Sequence, residues 1–259
     1  MADVLTKDEA RVRWITLNRP ESRNALTTRV NDTVRAAVES APAAGVRVLV
    51  LTGAGGAFSS GLDLRLAAEE GMNPEHIEAR MRTHFHGLIR AIRACPLPSV
   101  AVVDGPAAGF GCDLALACDL RLVSDRARFG EIFVKRGLMP DGGGTWMLPR
   151  LIGLGRALEM MLTGDLVDAA EAHRIGLANR VFPTAQLESA AWDFARTLAA
   201  GPPLVHRAVK AAVEAASHGN LDQALEGEVR GQLKLLASAD FQEGVAAFLE
   251  KRPPAFRGE

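Results

Sequence analysis

The chain has 259 residues, 48% of them hydrophobic, and its formal net charge is −1. This length suits one large domain, or a domain with an appendage, and the apolar share is enough to bury a core. The near-zero charge offers nucleic acid no basic surface, no apolar run approaches the roughly 20 residues of a membrane span, and the N-terminus lacks the apolar stretch of a signal peptide. We therefore expect a cytoplasmic protein without a nucleic-acid or membrane partner.

In chain order, the first predicted elements are strands and helices in alternation. Residues 11–18 alternate in polarity like a strand, and the segment after them has helical spacing. Residues 46–53 and 98–105 are nearly continuous apolar runs, which are typical of strands buried on both faces. Between these two strands, a loop and a charged, solvated segment at 69–75 precede an amphipathic helix at 81–96, which a proline ends.

The second half of the chain becomes progressively more helical. Residues 119–130 have the pattern of a short strand and a turn, and residues 155–164 that of a helix. From 187 to 249 only helical patterns follow. This succession predicts an α/β fold with a helical C-terminal region of roughly 60 residues. We place the core at residues 1–195 and the helical region at residues 196–259.

Three cysteines, Cys95, Cys112 and Cys118, occur without CxxC spacing. An odd number with this spacing is typical of reduced thiols in a cytosolic protein. We expect Cys112 and Cys118 to fill the core.

Two glycine-rich turns follow predicted strands, "GGAFSSGLDL" at 55–64 and "DGPAAGFGCDL" at 104–114. Neither completes G-x-G-x-x-G, and neither do "GGGTWM" and "GLGRAL" further along. No glycine precedes the Lys-Ser/Thr pair of a phosphate loop, so a dinucleotide or nucleoside triphosphate site is not indicated.

A serine hydrolase is the competing interpretation of the first turn, because "AFSSG" nearly matches a nucleophile elbow. However, Ser59 lies six residues beyond the strand-ending Gly53, whereas an elbow holds its serine on the turn directly after the strand. A metal site is weaker still. His84 and His86 are two residues apart on a predicted helix, so their side chains diverge.

An oxyanion hole uses both turns at once. One backbone N–H from each turn can converge on a carbonyl oxygen and stabilise the enolate that develops there. Glycines let the backbone approach the ligand closely. In the second turn the donor, at Phe110, would begin a helix, where N–H groups are free and the dipole favours negative charge. The alternative for each turn is an ordinary tight turn, and the hole requires nothing of the phenyl ring.

Together, "AFSSGLDL", "PSVAVVDGPAAGFGCDLALACDLRLVSDRARFG" and "GLMPDGGGTWMLPRLIG" resemble the crotonase (enoyl-CoA hydratase/isomerase) superfamily, and the resemblance continues to the closing "FQEGVAAFLEKRPPAFRG". It implies a spiral core of ββα repeats and a helical C-terminal region that assembles trimers, often paired into hexamers. It also implies acyl-CoA thioester substrates, with coenzyme A as part of the substrate, no separate cofactor and no metal.

The resemblance also implies roles for individual residues. The oxyanion donors are the N–H groups of Leu62 and Phe110. Arg23 and Arg65 match positions that meet the CoA phosphates, although each is equally an ordinary solvated surface charge. Lys251 resembles residues that reach the nucleotide of a neighbouring subunit. The remaining positions implied to bind CoA or substrate are Ala25, Ser60, Asp63, Gly109, Gly111 and Phe133.

The catalytic positions depart from the hydratases, which use two glutamates. The first matches Asp113 and the second matches Phe133, which cannot move a proton. Eight residues on, Asp141 stands where several isomerases and the chlorobenzoyl-CoA dehalogenase keep an aspartate. The run "PDGGGTWMLPR" is closest in wording to the epoxyphenylacetyl-CoA isomerases. We predict that Asp141 and Asp113 are catalytic; the alternatives are a glycine turn that starts at Asp141 and a helix cap at Asp113.

Two further residues are assigned less central roles. Glu131, two residues before Phe133, is expected to be a peripheral member of an ion pair; the alternative is that it substitutes for the missing second acid. His86 matches the catalytic histidine of the dehalogenase, and we treat an aromatic acyl-CoA as a minor interpretation.

The leading hypothesis is an enoyl-CoA isomerase that shifts a double bond through an enolate held in the oxyanion hole. One alternative is an enoyl-CoA hydratase in which Asp113 and Asp141 share the role of the two glutamates. The second alternative is a catalytically silent CoA-binding paralogue.

Overall fold

The structure is a computed structural model that describes residues 2–69 and 73–259. Residues 70–72, in the segment predicted to be solvated, lie outside the described residues.

The strands are β1 (Val4–Glu9), β2 (Val12–Leu17), β3 (Val48–Gly53), β4 (Ser99–Val103), β5 (Pro106–Ala108), β6 (Leu120–Ser124), β7 (Arg128–Gly130), β8 (Val167–Asp168) and β9 (Arg180–Phe182). The helices are α1 (Thr28–Ser40), α2 (Leu64–Glu69), α3 (Pro74–Arg80), α4 (His86–Ala94), α5 (Phe110–Ala117), α6 (Gly144–Ile152), α7 (Leu154–Thr163), α8 (Ala169–Arg174), α9 (Thr184–Ala200), α10 (Pro203–Ala216), α11 (Leu221–Leu236) and α12 (Ala239–Glu250).

The main sheet of the described chain has six strands in the order β1-β2-β3-β4-β6-β9. Strand β1 is antiparallel to β2, and every other neighbouring pair is parallel. Parallel strands need cover on both faces, which explains the continuous apolar runs of β3 and β4. The predicted buried strands are therefore confirmed.

Helices cover the two faces of this sheet with different residues. Val30, Val34 and Val38 of α1 belong to the larger core cluster, together with side chains of α4 and α5. On the other face, Leu187 and Ala191 of α9 pack in a second cluster with β2, β3 and β4. The predicted boundary between residues 195 and 196 falls inside α9, and the division into two regions stays a prediction.

A second, smaller sheet has the order β5-β7-β8 and lies where the strands of the main sheet end. After β4 the chain enters β5 and then α5, and after β6 it enters β7, a 3-10 turn and α6. After β3 the chain pairs with the same layer through an isolated bridge from Ser59 to Ala107 before α2 begins. This is a succession of ββα units, and each unit leads through a glycine turn into a helix.

The helix predicted at 81–96 is observed as a π-helical segment, Met81–Phe85, followed by α4. The helical C-terminal region is confirmed in α10, α11 and α12. All three cysteines are buried and unpaired. Across the described ranges, no helix has both the length and the apolar character needed to cross a membrane.

Candidate active site

The two glycine turns predicted to act together lie side by side in the structure. Leu26 N–H donates to the Gly61 carbonyl (2.7 Å), and Ala108 N–H donates to the Ser59 carbonyl (3.0 Å). The segment around Ser59 is therefore hydrogen-bonded to residues 23–26 on one side and to β5 on the other. These hydrogen bonds place residues 23–26, the segment around Ser59 and strand β5 side by side.

Gly61 makes the close approach of these segments possible. Its φ is +92°, a conformation that L side chains rarely adopt. A Cβ at this position would lie 2.7 Å from the Ala108 carbonyl oxygen and 3.5 Å from the Phe110 nitrogen. The first turn thus contacts the second at the backbone amide assigned to the oxyanion hole, and only glycine fits there.

The two predicted donors, Leu62 and Phe110, have available N–H groups. Phe110 is the first residue of α5, and the N–H groups of a first helical turn have no partner within the helix. Within residues 2–69 and 73–259, neither N–H donates to another backbone or side-chain atom. Gly109, with a φ of +54°, supplies no side-chain cap. The two N–H groups are therefore free to donate to a ligand, and their role as an oxyanion hole stays a prediction.

The Phe110 side chain has a role that the sequence interpretation did not assign. Its ring is 1% exposed and packs edge-on against Phe85, with ring centroids 4.9 Å apart. The ring anchors the start of α5 in the core, while the N–H of the same residue donates to no other backbone group of the described chain. The side chain of Phe110 therefore stabilises the fold, and its backbone N–H is free to bind a ligand.

Asp141 lies in the turn before α6 and is partly exposed. Its backbone carbonyl accepts a hydrogen bond from His86 Nε2–H at 2.9 Å. Burial raises the pKa of the Asp141 carboxyl, and the nearby His86 offsets part of that rise. His86 thus holds the turn, while the carboxyl group remains accessible and more basic than an ordinary aspartate.

Asp113, on the first turn of α5, is fully buried. Its Oδ2 accepts the N–H of Gly142 at 3.0 Å, so it holds the turn after Asp141 rather than capping its own helix. Its Oδ1 has no hydrogen-bond partner among the described residues. Burial first, and then the charges of Glu131 and Asp141, raise the pKa of Asp113 well above its usual range.

Glu131 corrects the sequence analysis. It is 0% exposed, forms no ion pair with any described residue, and neither of its carboxylate oxygens has a hydrogen-bond partner there. Burial raises the pKa of Glu131 to about 7; the adjacent Cys112 thiol works against this rise, and the charge of Asp141 adds to it. The prediction of a peripheral ion pair was wrong, because the side chain of Glu131 is buried in the interior rather than placed at the periphery.

Phe133 occupies the place where a second acid is expected in the hydratases. Its ring carbons lie 3.8 Å from the position of a Cβ on Gly109, directly beside the second turn. Gly111 faces the other side of this turn, where a Cβ would lie 2.7 Å from Ser59 Cβ. Phe133 and Ser59 therefore flank the two glycines on either side of Phe110.

The serine and histidine alternatives are not supported by the contacts. Ser59 is fully buried, and its Oγ donates to the Asn24 carbonyl at 2.8 Å, so it is not placed as a nucleophile. His84 Nδ1 lies 2.8 Å from Asp32 Oδ2 on α1, whereas His86 faces Asp141. The two imidazoles engage different elements and do not converge.

Four predicted CoA-binding residues lie together along the paired segments. Ser60 N–H donates to the Arg23 carbonyl (2.9 Å), and the Arg23 side chain is exposed. Ala25 is buried and its carbonyl accepts from Arg19, which also pairs with Asp63 at 2.9 Å. Burial would raise the pKa of Asp63, but the Leu66 N–H and Arg19 outweigh it and lower the value.

Two other predicted CoA-binding residues lie on separate elements. Arg65 is exposed on the first turn of α2. Lys251 is exposed at the end of α12, with a φ of +57°. The binding roles of these residues stay predictions.

The comparisons with known proteins show the family to which the chain belongs. A family model described as enoyl-CoA hydratase/isomerase matches residues 7–259. The chain belongs to the enoyl-CoA hydratase/isomerase family. A Rhodobacter capsulatus member, "Probable enoyl-CoA hydratase", is 45% identical over 94% of this chain and 93% of its own length. The 1,2-epoxyphenylacetyl-CoA isomerase of Escherichia coli K12 is 36% identical, with 100% of both chains covered.

Solved members of the enoyl-CoA hydratase/isomerase family have the same fold. A crystal structure of an enoyl-CoA hydratase subunit from Geobacillus kaustophilus has a TM-score of 0.92 at 38% identity, covering 100% of this chain and 99% of that one. The predicted crotonase-like α/β fold with its helical C-terminal region is therefore confirmed. Family membership makes an acyl-CoA thioester the expected class of substrate.

Proposed function

We propose that this family member is an enoyl-CoA isomerase that uses Asp141 as its proton-transferring base. The observation that carries the proposal is the asymmetry of the site. One partly exposed carboxyl, Asp141, directly precedes Gly142, where a Cβ would lie 2.7 Å from the Phe110 ring, and the aromatic Phe133 fills the second acid position. Double-bond migration needs one base and an oxyanion hole, whereas hydration also needs a positioned water.

In the proposed reaction, the Asp141 carboxylate removes a proton from the carbon between the thioester and the double bond of a 3-enoyl-CoA. The C–H electrons form a new double bond, and the thioester oxygen becomes an enolate oxygen. The N–H groups of Leu62 and Phe110 stabilise that charge. The protonated Asp141 then returns the proton to the far carbon of the dienolate, which leaves a conjugated 2-enoyl-CoA and a carboxylate.

The raised pKa of Asp141 supports this role. A base removes a proton most efficiently when its own pKa lies near the operating pH, and burial moves this carboxyl in that direction. The apolar ring of Phe133 beside the second turn keeps water away from the enolate. Asp113 touches Gly142 rather than the pocket, so we assign it to positioning the turn of Asp141.

The CoA moiety is proposed to lie along the paired segments that contain Arg23, Ala25, Ser60 and Asp63, with Arg65 beside its phosphates. Lys251 is proposed to reach the nucleotide from a neighbouring subunit of a trimer or hexamer. The exposed ends of α2 and α12 leave both basic side chains free to contact a ligand.

Hydration is the second candidate, and the observation that favours it is the relationship to the Rhodobacter capsulatus protein, whose name describes a hydratase. In that case Asp113 and Asp141 would share a water. The full burial of Asp113 favours isomerisation instead, since a substrate-side water cannot reach it without movement of the Gly142 turn.

The test is incubation with a 3-enoyl-CoA and, separately, with crotonyl-CoA, followed by the absorbance of the conjugated thioester. Isomerisation predicts a gain of absorbance with the 3-enoyl substrate. Loss of absorbance with crotonyl-CoA as the dominant reaction would establish hydration instead. No change with either substrate, in protein shown to bind CoA, would favour the silent paralogue.

A further inference from the structure

The carboxyl groups of Glu131 and Asp113 form a buried pair that takes no part in the proton transfer of the proposed reaction. Both approach Gly144: a Cβ there would lie 2.3 Å from Asp113 Oδ1 and 3.0 Å from Glu131 Oε1. These oxygens, and Glu131 Oε2, have no hydrogen-bond partner among the described residues. Two side chains from different elements thus direct unsatisfied oxygens at the same small space.

The charges around this pair are almost all negative. Asp141 lies on the pocket side, and the Cys112 thiol contacts Glu131 from α5. His86, the cationic candidate in this part of the site, faces Asp141 rather than Glu131. Two buried carboxylates that lack a cation cannot both be ionised, because removing each charge from water costs several kcal/mol and the charges repel one another.

We propose that Glu131 and Asp113 share one buried proton at neutral pH, and that Glu131 thereby acts as a positioning residue for the turn that carries Asp141. With one proton between them, the pair holds a single negative charge. The Gly142 N–H bound to Asp113 Oδ2 and the Cys112 thiol beside Glu131 both stabilise that charge. The role in catalysis rests on the proposed function; the shared proton does not.

Loss of the shared proton should impair the reaction. A second negative charge would then lie behind Asp141 at the moment when enolate formation adds a further negative charge to the pocket. Burial and the mutual repulsion of the two carboxyl groups hold this proton up to neutral pH, so the decline in kcat should begin above neutral pH and reach roughly tenfold.

The central experiment compares the parent protein with Glu131→Gln, which keeps the shape of the side chain and removes its proton equilibrium. The matched control is Glu188→Gln, at an exposed position on α9. Infrared spectra across pH 5 to 9 should show a protonated-carboxyl band in the parent that disappears above neutral pH. In Glu131→Gln the band should disappear at a lower pH, because Glu131 no longer repels the charge of Asp113. Bands that titrate at the same pH in the two proteins would overturn the proposal.

Thermal unfolding provides a second measurement that does not depend on activity. The folded state binds the proton more tightly than the unfolded chain, in which a glutamate titrates near 4.3, so the stability of the parent falls as pH rises from about 4.5 through 7. The Tm of Glu131→Gln should exceed that of the parent by an amount that grows over this range and then levels off. Parallel curves would contradict a shared proton and would indicate a packing role only.

The kinetic arm then tests the positioning role. At pH 6.5 Glu131→Gln should have a kcat within a few-fold of the parent, and its alkaline decline should be absent. A uniformly lower kcat with the same pH profile would overturn this role. If none of these proteins isomerises an enoyl-CoA, the proposed function is wrong. The infrared and thermal measurements still show whether Glu131 and Asp113 share a proton, because they do not depend on activity.

If Glu131→Gln does not fold, Asp113→Asn provides the same decision. Removing the Asp113 carboxyl group removes the repulsion within the pair, so the remaining carboxyl band should disappear at a lower pH. A band that titrates at the same pH as in the parent would overturn the pair.

Discussion

At the scale of single residues, the site divides its tasks between side chains and backbone. Asp141 contributes a carboxyl group, and its backbone carbonyl is held by His86. Phe110 contributes its N–H, and its ring is held by Phe85. The carboxyl group of Asp141 and the N–H of Phe110 can therefore each be removed by a single substitution.

Asp141→Asn should lower kcat by orders of magnitude and change KM little, because only the transition state loses an interaction. The amide keeps the size of the side chain but cannot accept the proton. Steady-state kinetics with a 3-enoyl-CoA measure this. A variant with near-parent turnover would show that another group is the base.

Phe110→Pro should lower kcat by roughly 10²–10³ relative to Phe110→Ala, the usual effect of losing one oxyanion donor. Both variants lose the buried ring, but only proline loses the N–H. The first position of a helix is where proline is best tolerated, so the comparison is a fair one.

Circular dichroism and CoA binding should first establish that both Phe110 variants fold. Equal turnover of the proline and alanine proteins would mean that the Phe110 amide does not contact the thioester.

At the scale of elements, the site depends on how closely two turns approach. Strand β5 pairs with the segment around Ser59, and that segment pairs with residues 23–26. The second turn then continues into α5, whose Asp113 binds the turn before α6. Adding a single methyl group between the two turns should therefore displace the N–H groups of Leu62 and Phe110.

Gly61→Ala tests this approach. A Cβ at a φ of +92° is strained by about 1–3 kcal/mol, and it would also lie 2.7 Å from the Ala108 carbonyl. We expect a lower Tm and a kcat reduced at least tenfold, since a displacement of this size disturbs transition-state contacts. The control is Gly155→Ala on α7, where a Cβ meets no atom within 4 Å. If the Tm and kcat of Gly61→Ala match those of Gly155→Ala, the close contact of the two turns is not required for stability or catalysis.

At the scale of the whole molecule, the C-terminal helices expose more apolar surface than the core requires. On α11, Leu221, Leu225, Val229 and Leu233 recur every fourth residue, and each is at least 50% exposed. Phe248 and Leu249 of α12 are 82% and 73% exposed. A contiguous apolar surface of this kind indicates a protein interface.

We predict that the protein is a trimer or hexamer in solution and that Leu233→Glu dissociates it toward monomers. Burying a charge at an apolar interface is costly, so assembly should weaken by well over tenfold. Light scattering on size-exclusion chromatography measures the mass, with the exposed Lys234→Gln as the control. A parent protein that elutes as a clean monomer at micromolar concentration would contradict both the assembly and the proposed reach of Lys251.

Much of this protein is determined by local sequence. The buried strands β3 and β4 and the helices of the C-terminal region follow from apolar periodicity, which depends only on neighbouring residues. The glycines at positions 61 and 109 identify turns whose backbones must approach something closely, and the motifs around them identify the family. The shift from Glu to Phe at residue 133 is likewise visible without coordinates.

Only the tertiary structure decided which groups are buried together. Glu131 has a surface-like sequence context, yet the chain enters from β7 so that its carboxyl group faces Asp113 and Gly144. Asp113 has the position of a helix cap, yet its partner is the amide of Gly142, 29 residues away. Burial and long-range contact are set by how elements pack, and the ionisation of a carboxyl group depends on that packing far more than on its neighbours along the chain.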